Sequence, residues 1–281
     1  MKFSKKKLEQ VIKFMIDTAY DAGEAILDFQ NKRQVLKVTH KGAEGIASEA
    51  DEASEKIIID LVSKNYPKHE VLSEEDFSKS KKNKIGDLQK KEFLWVIDPL
   101  DGTNNFVNGI PIYAVSIALL HEGKTIAGVV YNPLSGECFF ASLEQGAYLI
   151  DFRINPLKKY ELKPVKNTKA LGECIFSPAP VYEIGHKFER QLSVFRKNIH
   201  GARAVRRLGS AALELCYVAN GNFDGYWEKN LKPWDTAAAL IICQEAGVKV
   251  TDFDGKSYNI QKDSIIAAHD PLHTRILGKI K

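Results

Sequence analysis

Trp95-Val-Ile-Asp98-Pro-Leu-Asp101-Gly-Thr103-Asn-Asn-Phe106 ends an apolar run on two carboxylates three residues apart, then adds a Gly-Thr pair able to open a helix. Leu94–Ile97 is the continuous apolar run expected of a buried strand, so Asp98 sits where the chain leaves the core. Pro99 fixes the backbone and removes a donor, and the turn it makes is able to gather both carboxylates and the Leu100 carbonyl around one point. Two such charges repel unless a cation or a proton neutralises them. Taken alone, the pair also fits a turn aspartate followed by a helix-capping aspartate. Gly102 removes the side chain where a ligand must approach the backbone. The amides of 102 and 103, at a helix start, suit phosphate oxygens, and the Thr103 hydroxyl suits the orienting of a water.

Two more acidic segments lie outward from this stretch. Val71-Leu72 begins a short strand that delivers Glu74 and Glu75 at its carboxyl end. Far downstream, Pro233-Trp-Asp235-Thr-Ala-Ala reads as a tightly packed helix over Thr236–Ala246, with Asp235 at its N-cap. The three segments together supply the hard oxygen ligands that Mg²⁺ prefers, beside an anion site. That combination argues for metal-assisted attack of water on a phosphate ester.

The bulk properties fit an enzyme of this kind. The chain has 281 residues, 44% of them apolar and 27% charged, enough for one large unit with a sizeable core. Its net charge of +4 is mild and concentrated at Lys2–Lys7 and in the Lys79–Lys91 stretch, which argues against nucleic acid as a partner. Cys138, Cys174, Cys216 and Cys243 stand far apart with no C-x-x-C pair, so reduced, buried thiols are expected rather than a zinc site. The amino-terminal lysines lead into a segment interrupted by Glu9, Lys13, Asp17 and Asp21, not into a signal core. No run approaches the roughly 20 apolar residues of a membrane span, and a cytoplasmic protein is expected.

Helical spacing covers residues 8–30 and Ala50–Asn65, with the polar, glycine-bearing Thr39–Gly45 between them read as a mobile loop. The lysine-rich Phe77–Glu92 reads as a solvated loop. Tyr113–Leu120, Thr125–Tyr131 and Glu137–Ala141 read as strands. In the second half, strands are expected at Cys174–Phe176, Ala202–Val205, Phe223–Trp227, Val248–Asp252 and Ile265–Ala268. Helices are expected at Glu183–Arg196, Ser210–Ala219, Thr236–Ala246 and Leu272–Ile280. With no repeat and no long linker, the chain reads as one layered α+β unit, 1–281, in two α/β halves of about 1–150 and 151–281.

Ser73-Glu-Glu75, Asp98-Pro-Leu-Asp-Gly-Thr103, Gly209-Ser-Ala-Ala-Leu213, Phe223-Asp-Gly-Tyr-Trp-Glu228 and Trp234-Asp-Thr-Ala-Ala238 resemble the inositol monophosphatase family, within the superfamily that includes fructose-1,6-bisphosphatase. The similarity runs from about residue 8 to 275. It implies a layered αβαβα sandwich, commonly dimeric and often inhibited by lithium, using two or three Mg²⁺ ions. It also implies that Glu74, Asp98 and the Leu100 carbonyl bind one ion, that Asp98, Asp101 and Asp235 bind a second, and that a third, weaker ion sits near Glu74. Glu75 and Thr103 would orient and activate the attacking water, with Asp51 of Ser48-Glu-Ala-Asp51 acting from outside the ligand set. The backbone of Gly102 and Thr103 would hold the phosphate. Gly209, Ser210 and Ala211 would line the substrate side, with Leu100, Asp101 and Asp235 also bordering it, and Glu228 would hydrogen-bond polyol hydroxyls. Two positions depart from the common pattern without removing a ligand: Ser73 replaces a frequent glycine, and so does Ala239.

The expected substrate is a small phosphorylated polyol, sugar or nucleotide, inositol 1-phosphate first. A 3′(2′),5′-bisphosphate nucleotidase and a fructose-1,6-bisphosphatase are the enzymatic alternatives, since all branches share the ligands. The non-enzymatic alternative is a scaffold that binds nucleic acid or protein.

Overall fold

The computed structural model describes residues 4–30, 37–40, 46–79, 88–164, 169–179 and 186–280. The first helix, α1 (Lys5–Gln30), turns Leu8, Val11, Ile12, Met15, Ala19, Ala22 and Ile26 inward at the expected spacing. Then come β1 (Val38–His40) and β2 (Ile46–Ser48), an antiparallel pair, and α2 (Glu49–Asn65). The segment read as a mobile loop therefore begins in a strand at Thr39 and His40, and its residues 41–45 lie outside the described residues.

Seven strands form the larger sheet. They are β3 (Glu70–Ser73), β4 (Phe93–Asp101), β5 (Ala114–His121), β6 (Lys124–Asn132), β7 (Glu137–Ser142), β8 (Ala147–Asp151) and β9 (Asn155–Leu162), paired in that order. Only β3 and β4 run parallel; the rest is an antiparallel meander. Between β3 and β4 the described residues include α3 (Glu74–Lys79) and a 3₁₀ turn, Leu88–Lys90. The lysine-rich segment is thus helical at its start, and its residues 80–87 lie outside the described residues. A short helix, α4 (Thr103–Asn108), follows β4. Strands β8 and β9 were not anticipated: β9 is exposed at every position but Leu162, so no apolar alternation marks it.

The second sheet is built from β10 (Ile175–Pro178), β11 (Ala204–Val205), β12 (Gly225–Lys229), β13 (Lys249–Thr251) and β14 (Ser264–Ala268), in the order β11-β10-β12-β14-β13. Its helices are α5 (His186–Ile199), α6 (Ala211–Ala219), α7 (Pro233–Glu245) and α8 (Leu272–Ile280). Positions 183–185, read as the start of α5, lie outside the described residues.

Period-two alternation distributes side chains between layers. On β4, Leu94 and Val96 join the core that holds α6 and α7, whereas Trp95 and Ile97 join the core under α1 and α2. On β14, Ile265 and Ala267 face α6 and α7, while Ile266 and Ala268 face α8. The order is α1–α2, large sheet, α6–α7, small sheet, α5–α8: the layered αβαβα sandwich expected. Helix α7 fits between the sheets because its inner positions are small. Ala237, Ala238 and Ala239 are buried, and a Cβ at Gly128 of β6 would stand 2.5 Å from the Ala238 carbonyl oxygen. All four cysteines are buried and free, as expected. Among the described residues no helix is long and apolar enough to cross a membrane.

Candidate active site

The pairing of β4 with β5 slips between Asp98 and Asp101. Asp98 faces Ser116 and Asp101 faces Ala114, so three steps on β4 oppose two on β5. Pro99, with no amide to donate, sits in this bulge, and its carbonyl is held by the Ser54 hydroxyl at 2.7 Å. Asp98 accepts the Leu100 amide at 3.0 Å, which curls the chain so that two acids leave the sheet on one side. Gly102 then takes φ +99°, and a Cβ there would meet the Ile112 carbonyl at 3.0 Å and that of Gly209 at 3.3 Å. Only glycine allows this turn to lie against the 209 loop. Gly102, and not Asp101, is the N-cap of α4.

Asp51 stands in the first turn of α2. Its Oδ2 accepts the Ser48 amide at 2.8 Å and the Ser48 hydroxyl at 2.6 Å, closing a capping box. Its Oδ1 accepts the Thr103 hydroxyl at 2.8 Å, and that hydroxyl also lies 3.1 Å from the Leu100 carbonyl oxygen. Burial raises the Asp51 carboxyl from 3.8 to about 6, against the lowering effect of these donors.

Glu74 and Glu75 do not splay from a strand end; they open α3, because β3 stops at Ser73. Glu75 is buried and Glu74 half-buried. Buried Glu55 of α2 sets this turn by accepting the Ser73 hydroxyl and the Asp76 amide. Glu55 went unnoticed in the sequence, although its i+4 spacing from Asp51 places both on one face of α2. The serine that departs from the common glycine is thus the partner of that acid.

Asp235 is the third residue of α7, not its N-cap. The helix begins at Pro233, and Asp235 accepts the Lys232 amide at 2.7 Å. Asp101 is gripped from α6: Oδ2 accepts the Ser210 hydroxyl at 2.6 Å and the Ala212 amide at 2.9 Å. The Ser210 hydroxyl is therefore turned to an acid, and Gly209 is the exposed member of the wall 209–211. Glu228 lies on β12, which begins two residues later than expected, and it accepts the Tyr226 hydroxyl. Glu214, also missed, accepts the Leu208 amide and the Ser177 hydroxyl.

The acids sense one another. Asp98 is held well above the carboxylate range by burial first, then by the charges of Glu74, Asp101 and Asp235. Burial lifts Asp101 to about 7 against its two donors, and lifts Asp235 strongly, with Asp101 and Glu74 adding to it. Glu228 rises to about 8 through loss of water around it. So Glu74, Asp98, Asp101, Asp235 and Glu228 share one region, and Asp51 with Thr103 borders it. Among the described residues, no three His, Cys, Asp or Glu side chains stand as they are in a group able to hold a metal ion. Asp98, Asp101 and Asp235 each turn one oxygen to a protein donor. Crowded, hard-oxygen carboxylates that raise one another are nevertheless the donor chemistry a divalent cation offsets.

The family model described as the inositol monophosphatase family matches residues 7–281. A Nus factor SuhB of Pasteurella multocida is 36% identical over 274 residues, covering 98% of this chain and 97% of that protein. An inositol-1-monophosphatase of Mesorhizobium japonicum is 35% identical over 273 residues, covering 96% of each. The crystal structure of the extragenic suppressor protein suhB from Bartonella henselae superposes with a TM-score of 0.85 at 36% identity, covering 97% of this chain and 98% of that one. At 29% identity, SaIMPase-II has been solved bound to inositol monophosphate, TM-score 0.75 over 95% of this chain and 92% of that one, and bound to 2′AMP, TM-score 0.76 over 96% and 93%. A bulged strand carrying two acids, a glycine turn beside them and a third acid on a helix wedged between two sheets thus coincide with a match over nearly the full length: the chain belongs to the inositol monophosphatase family.

Proposed function

We propose that this chain is a Mg²⁺-dependent phosphatase that converts inositol 1-phosphate, or a similar small polyol or sugar phosphate, and water to the free alcohol and phosphate. The observation that carries the reading is the elevation of Asp98, Asp101 and Asp235 beside the Gly102–Thr103 turn, by burial first and with the charge of Glu74 adding to each. Glu74, Asp98, Asp101, Asp235 and the Leu100 carbonyl would hold the metal, in two or three sites. Bound there, divalent cations would neutralise the ester's charge, lower the pKa of a water and stabilise the leaving alkoxide.

The remaining work falls to the chain. The Gly102 and Thr103 amides receive phosphate oxygens at the start of α4. Thr103, its hydroxyl aimed by Asp51, and buried Glu75 hold the attacking water and take its proton. Glu228, steadied by Tyr226, and the wall Gly209–Ala211 hold the alcohol. Phosphate release from inositol 1-phosphate in Mg²⁺ tests the reading. Asp98→Asn is expected to abolish turnover rather than raise KM, and equal rates for the two proteins would end it. Rates on 2′-AMP and fructose 1,6-bisphosphate rank the alternative substrates. Lithium inhibition belongs to the same proposal. So does a homodimer, for which Ile154, just before edge strand β9, and Leu157, on it, 75% and 95% exposed, offer an apolar surface.

The names of the SuhB relatives support a second reading, an interaction role in addition to or in place of catalysis. Salt-sensitive retention on nucleic acid by a protein without phosphatase activity would favour it.

A further inference from the structure

The loop ahead of the wall is gripped at Leu208 by two side chains, one from distant α4 and one from α6, which follows the loop. Asn105, the third residue of α4, donates both Nδ2 protons to carbonyls, that of Leu208 at 2.6 Å and that of Ile112 at 2.7 Å. Glu214, on α6, accepts the Leu208 amide at 2.8 Å on the same oxygen that takes the Ser177 hydroxyl. The Gly209 amide also donates to Glu214. Both polar atoms of the Leu208 backbone are therefore held, its carbonyl from the large-sheet side and its amide from α6.

Glu214 is almost wholly excluded from water, on a helix whose flanking residues Leu213, Leu215 and Cys216 are buried as well. A carboxylate in such a place is costly unless donors surround it, and an apolar residue would fill the layer as well. The proposed reaction makes no use of it. What the two grips define is a spacing. Asn105 rides on the helix that starts at the phosphate-binding turn, and Leu208 leads directly into Gly209, whose carbonyl oxygen lies 3.3 Å from where a Gly102 Cβ would be. One side of the slot is thus tied to the other through Leu208.

We infer that Asn105 and Glu214 are positioning residues that set the separation between the phosphate-binding turn and the 209–211 wall, and so govern how tightly the polyol portion of the substrate is held. The inference rests on the phosphatase reading. Steady-state kinetics of wild type, Glu214→Ala, Glu214→Gln and Asn105→Ala on inositol 1-phosphate and on p-nitrophenyl phosphate, whose flat alcohol lacks the polyol hydroxyls, test it. Glu214→Ala and Asn105→Ala are expected to raise KM for inositol 1-phosphate about tenfold and KM for p-nitrophenyl phosphate less than about twofold. Glu214→Gln keeps an acceptor oxygen and is expected to restore KM to within about threefold of wild type. An equal fall in kcat on both substrates with KM unchanged, or a glutamine variant no better than the alanine variant, would overturn it. Amide hydrogen exchange over 206–212 reads the clamp without activity: faster exchange in both alanine variants supports it, and unchanged exchange overturns it. If wild type hydrolyses neither ester, the phosphatase reading falls, and exchange alone decides whether the clamp exists. Should Glu214→Ala not fold, Asn105→Ala and Glu214→Gln carry both measurements.

Discussion

The carboxyls of Asp51 and Asp101 keep their protons to about 6 and about 7, although free aspartate releases its proton near 3.8. Between those values the folded chain binds more protons than the unfolded one. The stability these groups contribute is therefore fully present below 3.8 and is lost as pH rises through 6 to 7. A divalent cation requires the ionised forms, so its stabilising effect grows across the same window. Thermal unfolding with Mg²⁺ and with a chelator is expected to show little difference near pH 5 and a clear upward shift near pH 8; equal shifts at both would contradict the proposed ligand set. His273 behaves in the opposite sense. Buried, with Nε2 3.0 Å from the Thr251 hydroxyl oxygen, it is lowered from 6.5 to about 4 by burial first and Lys249 second. Its share of stability is present above 6.5 and lost as pH falls toward 4, and His273→Gln is expected to flatten the acid limb of a denaturation-midpoint profile. At this scale the acids were legible because residue type and short-range order define them. Glu55 and Glu214 were not, because each serves a backbone amide that only the folded chain brings near.

Among the elements, α7 is closely held by the strand beneath it. A Cβ at Gly128 would meet Ala238 backbone atoms at 2.5 Å and 2.9 Å, and backbone cannot rotate aside as a side chain can. Gly128→Ala is expected to cost roughly 1–3 kcal/mol in urea denaturation. Activity should fall with it, since α7 carries Asp235; an unchanged midpoint would mean that the helix is free to shift. Buried elements were read from sequence within a few residues because their apolar pattern is strong. Asp235 was misplaced from the third helical position to the N-cap because the helix begins on Pro233, which was read as lying before it. Strand β9 escaped because both its faces meet water, leaving pairing with β8 as its only determinant.

At the scale of the molecule, five layers leave the thiols no route to solvent. Cys138, Cys174, Cys216 and Cys243 are buried, and burial raises each thiol further from the reactive thiolate. A thiol-specific reagent is expected to find none reacting quickly in the native protein and all four in denaturant; a fast native thiol would reveal local opening. The layer order was legible only through the resemblance, since helix and strand spacing alone establishes an α+β class and not which faces meet. Ser210 and Ala212 bind Asp101 from the turn that would border the substrate in the proposed enzyme, so altering the alcohol preference there would disturb turnover as well. Glu228, the proposed polyol ligand, stands on a separate strand, held by Tyr226. Divergence within this architecture thus has its freest path through position 228, and a randomised library at that codon should yield more surviving catalysts with new preferences than one spanning 210–212.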